Sequence, residues 1–566
     1  MSELCIMKIA LAQQNYLIGD FENNTKKIIA AVEEAKKHNA DLVMFTELCV
    51  CGYPPRDFVE FNDFINKCYA AIDEIKEHAD TIAVLVGSPA RNPVIEGKDL
   101  FNAAFFLYEK EIKAEIHKTL LPTYDVFDEY RYFEPSFEWN IVPFKGKRLA
   151  ITICEDIWNL GDNPLYRICP MDALMQQHPD LMLNISASPF DYTHHEDRKA
   201  VIKLNVVKYK LPMFYCNAVG SQTEIVFDGG SLVFDKNANL CKALPNFEEG
   251  IEYAELNDDG TISGPMLATA EQIPNTELAV KEFQPDLNLA HVYNALTMGI
   301  RDYFRKMGFS KAILGSSGGI DSAVVLSLAC EALGSENVRA ILMPSPYSSE
   351  GSVNDAVQLS KNLNNPYDII RIDPIYENFL CSLKPVFKDL PFSIAEENIQ
   401  SRTRGNLLMA IANKFGYILL NTSNKSELAT GYGTLYGDMA GGLSILGDCY
   451  KLQIYELAKY INRNKEIIPA TIIHKPPSAE LRPDQKDTDS LPDYSILDKI
   501  LYQYIERRLG PSEIKSLGYD PATVDRVLKL VNTNEYKRNQ FCPIIRISPK
   551  AFGVGRRVPI VGKYLS

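Results

Sequence analysis

Short apolar runs alternate with helical patterns along the first half of the chain. The runs have strand length and predict strands at residues 7–12, 42–45, 82–86, 103–107, 112–117, 149–153, 181–185, 213–216 and 232–234. Helices are predicted at residues 23–37, 59–76 and 197–208, where apolar residues such as Ile28, Val32 and Ala35 fall near one face. Some strands follow one another with no helix between them, so we expect a mixed sheet or two sheets packed together.

Turn signals at residues 257–260, 264–265 and 273–275 separate this half from the next. We therefore predict a first domain at residues 1–256, a linker at 257–287 and a second domain at 288–566. In the second domain, helices and strands alternate regularly at residues 289–304, 312–314, 322–333, 338–342, 353–363 and 367–372. This alternation predicts an α/β fold with a doubly wound parallel sheet, Rossmann-like in class.

Composition narrows the functional classes. The 566 residues are 46% hydrophobic and 23% charged, which excludes a wholly disordered or collagen-like chain. The formal net charge of −14 argues against nucleic acid or an anionic membrane as a partner. The 12 cysteines contain no C-x-x-C pair and indicate reduced thiols. No apolar run reaches the ~20 residues needed to span a bilayer. Together these features predict a cytoplasmic protein.

A glycine- and serine-rich loop, residues 315–322, joins a predicted strand to a predicted helix. Its glycines let the backbone approach a ligand, and the helix N-terminus favours an anion. Asp321 would repel a phosphate unless a divalent cation lay between them, and Mg²⁺ prefers carboxylate and phosphate oxygens. An ordinary helix cap is the alternative interpretation. No Gly-Lys-Ser or Gly-Lys-Thr follows, so this is not a Walker loop.

The loop resembles the pyrophosphate loop of the ATP pyrophosphatases, which adenylate an acceptor and release pyrophosphate. Residues 395–402, 422–427, 436–442, 477–481 and 535–538 resemble the NAD synthetases of that superfamily. The resemblance implies that Asn398, Glu427 and Lys537 bind deamido-NAD, and that Asp321 and Glu427 are candidate ligands of Mg²⁺. It also implies ATP as co-substrate, bound by Gly315, Ser316, Ser317, Gly318, Gly319, Ile320, Asp321, Ser322 and Thr422.

Three polar residues in the first half follow apolar strands: Glu47, Lys118 and Cys154. A cysteine that attacks an amide needs a base and a group that stabilises the oxyanion, and a glutamate and a lysine supply these. Cysteine is also among the most buried residue types, so a core position for Cys154 is the alternative.

The segments around these three residues resemble the nitrilase family, whose Glu, Lys and Cys occur in that chain order. The resemblance implies an αββα sandwich with glutaminase activity, in which Glu47 is the base, Lys118 the anion stabiliser and Cys154 the nucleophile. Tyr124 and Ser188 match positions that bind glutamine. A third such position, usually long and basic, is His194 here, and His195 or Arg198 would be its substitutes.

The whole chain thus resembles the glutamine-dependent NAD synthetases, which act on L-glutamine, ATP and deamido-NAD. We expect a homo-oligomer. Alternatives are a GMP or asparagine synthetase, a tRNA-modifying ligase and a non-catalytic scaffold. Residue 2 is serine and no G-x-C-x-G elbow is visible, so the common glutaminases of the first two fit poorly. The acidic charge argues against RNA.

Overall fold

The computed structural model describes residues 6–160, 164–268, 282–483 and 485–564. The chain divides into two compact units, Met1–Leu278 and Ala279–Ser566. The central part of the linker predicted at residues 257–287, residues 269–281, lies outside the described residues. Within the described ranges, no helix combines the length and apolar character needed to cross a membrane.

The first unit is built on two large sheets, with strand orders β14-β1-β2-β3-β4-β5 and β13-β12-β9-β8-β7-β6. Its strands are β1 (Met7–Gln13), β2 (Leu42–Met44), β3 (Ala83–Arg91), β4 (Leu100–Tyr108), β5 (Glu111–His117), β6 (Val142–Phe144), β7 (Lys147–Ile153), β8 (Leu181–Ser186), β9 (Met213–Asn217), β10 (Val219–Gln222), β11 (Ile225–Asp228), β12 (Leu232–Phe234), β13 (Leu240–Ala243) and β14 (Gly250–Leu256). Its helices are α1 (Phe21–Lys37), α2 (Asn62–Glu77), α3 (Pro170–Met175) and α4 (His194–Tyr209). Strands β10 and β11 form a separate hairpin.

Three apolar layers make this unit an αββα sandwich. The central layer joins side chains of both sheets, such as Leu42 and Leu183. On the outer face of the first sheet, α1 and α2 pack through residues such as Ile28. On the outer face of the second, α3 and α4 pack through residues such as Ile202. This confirms the fold class predicted for the first half.

The second unit contains a five-stranded sheet of order β17-β16-β15-β18-β19, parallel throughout. Its elements, in chain order, are α5 (Leu289–Met307), β15 (Ala312–Gly315), α6 (Ile320–Leu333), β16 (Val338–Leu342), α7 (Glu350–Leu363), β17 (Tyr367–Ile369), α8 (Asp373–Phe387), α9 (Ile394–Phe415), β18 (Ile418–Asn421), α10 (Lys425–Thr430), β19 (Leu443–Ser444), α11 (Lys451–Ile461), α12 (Ala470–His474), α13 (Tyr494–Ile505), α14 (Pro511–Ser516), α15 (Pro521–Thr533) and α16 (Glu535–Arg538).

The parallel sheet is covered by helices that connect its strands. Helix α9 packs through Leu408 and Ala412 on the sheet face formed by Ile313, Ile341 and Leu419. Helix α6 follows β15 directly and packs against β15 and β16. The α/β, doubly wound class predicted for the second half is confirmed.

Local boundaries differ from the predictions in two places that matter. The predicted helix at 59–76 is a 3₁₀ turn, Arg56–Glu60, followed by α2, because Phe61 between them has extended backbone. Helix α6 begins at Ile320 and not at Ser322, since Gly319 is its extended N-cap residue. Asp321 therefore lies in the first turn of that helix, directly beside the loop.

Candidate active sites

The two charged residues predicted for the glutaminase site form a fully buried ion pair. Lys118 Nζ lies 2.7 Å from Glu47 Oε1, and the two residues are 0% and 1% exposed. Glu47 lies three residues beyond the short parallel strand β2, and Lys118 directly follows β5; both strands belong to the first sheet. Glu47 is fixed further by Asn102 Nδ2, at 2.7 Å, and by the backbone N–H of Ala187, at 3.0 Å. The carboxylate therefore has one defined position.

Cys154 begins a 3₁₀ turn, Cys154–Ile157, at the end of β7, with φ at +42°. This left-handed backbone is rare for a side chain larger than glycine and marks a sharp turn out of the strand. Burial raises the pKa of the Cys154 thiol, and the Glu47 carboxylate raises it further, while Lys118 acts in the opposite direction. The thiol thus stays protonated at rest and needs a base at the moment of attack.

A second glutamate, Glu129, completes the charged cluster and was missed by the sequence reasoning. Its carboxylate accepts two hydrogen bonds from Lys118 Nζ, at 2.9 and 2.8 Å, and one from the Tyr53 hydroxyl at 2.7 Å. Burial raises the pKa of Glu129 to about 7, against the pull of the Lys118 ammonium. Glu129 lies in a 3₁₀ turn, Glu129–Arg131, and follows no apolar strand, so no pattern in the sequence indicated it.

Asp156 ties the cysteine turn to the lysine loop. Its Oδ1 accepts hydrogen bonds from the backbone N–H groups of Thr119 and Leu120, and its Oδ2 accepts one from Ile153. Burial raises the pKa of Asp156 to about 6. One carboxylate therefore sets the spacing between the segments that carry Lys118 and Cys154.

The predicted glutamine-binding residues lie around the same turn. The Ser188 hydroxyl is hydrogen-bonded to His194 Nε2 at 2.9 Å, and the His194 ring stacks on Trp158 at 4.8 Å between ring centroids. The Tyr124 hydroxyl donates to both oxygens of Glu155, at 2.9 and 3.1 Å. Glu155, the residue after Cys154, and Trp158, the residue after the turn, are thus contacts that the sequence did not indicate.

Arg198 and His195, the proposed substitutes for His194, are directed elsewhere. The two terminal guanidinium nitrogens of Arg198, Nη1 and Nη2, donate to the Asp228 carboxylate at 2.9 and 2.6 Å, and Arg198 is 1% exposed. His195 Nδ1 lies 3.6 Å from the same carboxylate. Despite burial, Arg198 holds the pKa of Asp228 well below its usual range. His194, in contrast, is hydrogen-bonded to Ser188.

In the second unit, the predicted phosphate loop, residues 315–322, is held by hydrogen bonds to a neighbouring backbone carbonyl and among its own residues. Ser316 N donates to Ile341 O at 2.9 Å, Ser317 N donates to Ser322 Oγ at 3.2 Å, and Ser322 Oγ donates to Gly319 O at 3.0 Å. Gly318 has φ at +77°, and a Cβ there would lie 2.1 Å from Ser352 O. A side chain at Gly318 would therefore open the loop.

Two acidic residues predicted as Mg²⁺ ligands converge on a lysine that the sequence reasoning missed. The Lys451 ammonium is hydrogen-bonded to Asp321 Oδ2 and lies 3.8 Å from Glu427 Oε1. Burial and the Asp321 carboxylate raise the pKa of Glu427 well above its usual value. Although burial opposes its charge, Asp321 and Glu427 raise the pKa of Lys451. Lys451 opens α11 after the two-residue strand β19, which is too short to be read from the sequence.

These carboxylates suit a hard cation, since they already face one positive charge and offer oxygen donors. Within the described ranges, no group of three or more acidic, cysteine or histidine side chains is arranged to hold a metal ion. Two protein carboxylates are nevertheless enough for Mg²⁺ when substrate phosphates and water fill its other positions. Asp321 and Glu427 therefore fit such an ion.

The remaining predicted residues are Thr422, Asn398 and Lys537. Half-buried Thr422 follows β18, the neighbour of β15. Asn398 Oδ1 accepts a hydrogen bond from Thr434 Oγ1 at 2.7 Å. Lys537 Nζ donates to the carbonyls of Gly431 and Gly433, at 2.7 and 2.9 Å, and burial lowers its pKa. Asn398 and Lys537 thus contact one loop, residues 431–434, which follows the helix that carries Glu427.

Comparison with known proteins agrees with both units. A carbon-nitrogen hydrolase family model matches residues 8–263, and an NAD synthase family model matches residues 292–541. The fold and sites therefore define a two-domain enzyme class that joins amide hydrolysis to NAD synthesis.

Full-length relatives specify the class further. A glutamine-dependent NAD(+) synthetase from Synechocystis sp. is 43% identical over 98% of both chains, and one from Thermotoga maritima is 40% identical over 99% of both. The structure of a glutamine-dependent NAD+ synthetase from Acinetobacter baumannii, in complex with ADP, matches with a TM-score of 0.76 and 36% identity over 98% of both chains. The chain belongs to the glutamine-dependent NAD(+) synthetase family.

Proposed function

We propose that this chain converts deamido-NAD to NAD, using ammonia from L-glutamine and energy from ATP. One observation carries the proposal: a buried Glu47–Lys118 pair beside Cys154 in one unit accompanies an Asp321-bearing phosphate loop in the other. The first arrangement suits amide hydrolysis, and the second suits nucleotide chemistry. A reaction that uses both sites, with ammonia from the first consumed at the second, explains why one chain contains them.

In the glutaminase reaction, Cys154 Sγ attacks the side-chain amide carbon of glutamine while Glu47 takes the thiol proton. Lys118 stabilises the oxyanion of the tetrahedral intermediate, because its ammonium is held beside the reacting centre. Collapse breaks the carbon–nitrogen bond, and the proton on Glu47 passes to the departing NH₃. Water, activated by Glu47, then hydrolyses the glutamyl thioester to glutamate and restores the thiol.

Glutamine is bound by the ring of polar groups around this turn. The Ser188 hydroxyl and His194 offer donors suited to the α-carboxylate of the substrate. The Glu155 carboxylate, which accepts a hydrogen bond from the Tyr124 hydroxyl, suits its α-ammonium. Replacement of His194 by alanine should therefore raise the KM for glutamine and leave ammonium-driven synthesis unchanged.

In the second unit, the nicotinate carboxylate of deamido-NAD attacks the α-phosphorus of ATP, and pyrophosphate leaves. The loop of residues 315–322 would hold the β- and γ-phosphates, with Lys451 adding positive charge beside Asp321. Asp321 and Glu427 would hold Mg²⁺, which supplies charge neutralisation on the phosphate oxygens when it is bound. Asn398 and Lys537 would position deamido-NAD through the loop at 431–434. Ammonia then attacks the acyl carbon of the adenylate, and AMP leaves.

Ammonia is proposed to reach the second site without leaving the protein. The test supplies glutamine labelled with ¹⁵N at its amide together with excess unlabelled ammonium. If ammonia passes internally, NAD retains the label. If it is released to solution first, NAD takes the isotope ratio of the bulk.

The reaction itself is tested by incubating the purified chain with ATP, Mg²⁺, deamido-NAD and either glutamine or ammonium. Chromatography should show NAD, AMP and pyrophosphate in equal amounts, with glutamate formed only from glutamine. Stoichiometric ADP would overturn the assignment, because the loop differs from a Walker loop. The homo-oligomer and the cytoplasmic location stay predictions, checked by light scattering and by cell fractionation.

A further inference from the structure

Four lysines of the second unit have partners within the protein. Lys451 faces Asp321 and Glu427. Lys425 is paired with Asp448 and Glu506, at 2.9 and 2.7 Å. Lys475 Nζ lies 3.1 Å from Glu480, and Lys537 donates to two backbone carbonyls.

Arg404 differs from these lysines. It lies on α9, and its Nε donates to Met343 O at 3.0 Å. Asp438, Glu480 and Asp373 act on it electrostatically, but within the described part of the chain none forms an ion pair with it. Burial lowers the pKa of Arg404 to about 10, so the guanidinium still carries its charge at neutral pH.

The three carboxylates around Arg404 have other partners. Asp438 accepts from Ser401 Oγ at 2.9 Å and from Thr434 N at 2.7 Å. Glu480 accepts from Ser352 Oγ at 2.6 Å, and Asp373 from Arg371 Nε at 2.6 Å. A partly buried guanidinium with donors left over gains most from an anionic partner, and arginine is well suited to phosphate oxygens.

Arg404 is also beside the phosphate loop. A Cβ on Gly315 would lie 3.3 Å from Met343 Cε and 3.4 Å from Leu408 Cδ1. Met343 is the residue whose carbonyl holds Arg404, and Leu408 lies one turn along α9. Met343 directly follows β16, so Arg404 is anchored where that strand ends, at the edge at which parallel sheets bind ligands.

We propose that Arg404 binds a phosphate oxygen of one of the two nucleotides that meet at the adenylation site, ATP or deamido-NAD. The proposal rests on the proposed function, because it takes its two ligands from that reaction. Both ligands offer the same chemistry to a guanidinium, an anionic oxygen on phosphorus. The two ligands are distinguished by which of them binds more weakly when Arg404 is replaced.

The test compares Arg404→Ala and Arg404→Lys with wild type in ammonium-driven NAD synthesis. Lys414→Ala is the matched control, since Lys414 is an exposed basic residue in the last turn of the same helix. We expect Arg404→Ala to raise one KM by about 10- to 100-fold, as loss of a charged hydrogen bond does. Arg404→Lys should recover part of the loss, and Lys414→Ala should match wild type.

Calorimetric titration identifies the source. Weaker binding of the α,β-methylene analogue of ATP with Mg²⁺ assigns the contact to ATP, and weaker binding of deamido-NAD assigns it to the dinucleotide.

The proposal is overturned if both KM values stay within twofold of wild type, or if only kcat falls. Glutamine hydrolysis and the melting temperature report folding, and Arg404→Gln replaces the alanine variant if that unfolds. A wild type that forms no AMP would instead overturn the proposed function.

Discussion

Lys451 donates a hydrogen bond to Asp321 across 130 residues of sequence, and its ammonium faces Glu427 from the same position. The lysine is 3% exposed and Asp321 18%, so the pair is largely shielded from water. The first turn of α6 and the first residue of α11 are thus joined at the predicted Mg²⁺ site. One ammonium compensates two carboxylates until a substrate complex brings further positive charge.

Asp321→Asn should abolish NAD formation with either nitrogen donor. The amide keeps the shape of the side chain but removes the carboxylate that suits Mg²⁺ and faces Lys451. We expect a loss of at least about 100-fold in ammonium-driven kcat/KM, as removal of a metal-site charge implies. Asp368→Asn, in the edge strand β17, is the control. Near-normal synthesis by Asp321→Asn would refute the role.

Apolar runs explain which residues of the candidate sites the sequence could indicate. Glu47, Lys118, Cys154 and the loop at 315–322 all follow strands with clear hydrophobic patterns, and chemistry collects at strand ends. Glu129 and Lys451 follow no readable strand, and each joins its site through contacts distant in sequence. Such contacts depend on tertiary packing, which periodicity does not encode. The sequence likewise did not predict that Arg198 and His195 face Asp228, because that contact depends on how the chain folds.

Glu129→Gln should impair glutamine hydrolysis and spare ammonium-driven synthesis. The amide oxygen can accept one hydrogen bond from Lys118, but its NH₂ group would face the ammonium in place of a second acceptor. Lys118 would then shift toward Glu47 and away from the oxyanion. We expect glutamine kcat to fall by about 100-fold, in the range of losses for oxyanion stabilisation.

The matched control for Glu129 is Glu60→Gln, an exposed glutamate of the same unit. Glutamate release is measured for both variants beside wild type. Equal rates in Glu129→Gln and Glu60→Gln would show that Glu129 is dispensable for the chemistry.

Asp228→Asn should destabilise the first unit in a pH-dependent way. The folded protein holds the pKa of Asp228 below the unfolded value of ~3.9, so the Arg198–Asp228 pair contributes stability above pH ~4 and loses it as pH falls further. The variant leaves Arg198 buried without its counterion, which costs about 3–5 kcal/mol. We expect its melting temperature to lie well below that of wild type at pH 7, with the gap narrowing toward pH 3.

An exposed pair provides the comparison for Asp228. Glu22→Gln breaks the Lys26–Glu22 contact, whose side chains are 64% and 77% exposed, and should leave the melting temperature close to that of wild type, because water screens an exposed pair. Melting curves of the three proteins between pH 3 and 7 decide the matter. A constant gap between Asp228→Asn and wild type across this range would mean that the pair is not the source of the stability.

Cys154→Ala should separate the two half-reactions. Cys154 is the proposed nucleophile for glutamine, whereas Asp321, Glu427 and Lys451, the residues proposed to serve adenylation, lie in the other unit. Removal of a covalent nucleophile should lower glutamine turnover by orders of magnitude, because no neighbour replaces its attack. With ammonium at alkaline pH, where more NH₃ is present, the variant should still make NAD.

The measurement is NAD formed from glutamine and from ammonium chloride. The control is Cys241→Ala, which replaces another buried cysteine of the same unit. Wild-type glutamine-dependent synthesis by Cys154→Ala would show that the nucleophile lies elsewhere. Loss of both activities in a variant that keeps the wild-type circular dichroism spectrum would show instead that the two sites do not act separately.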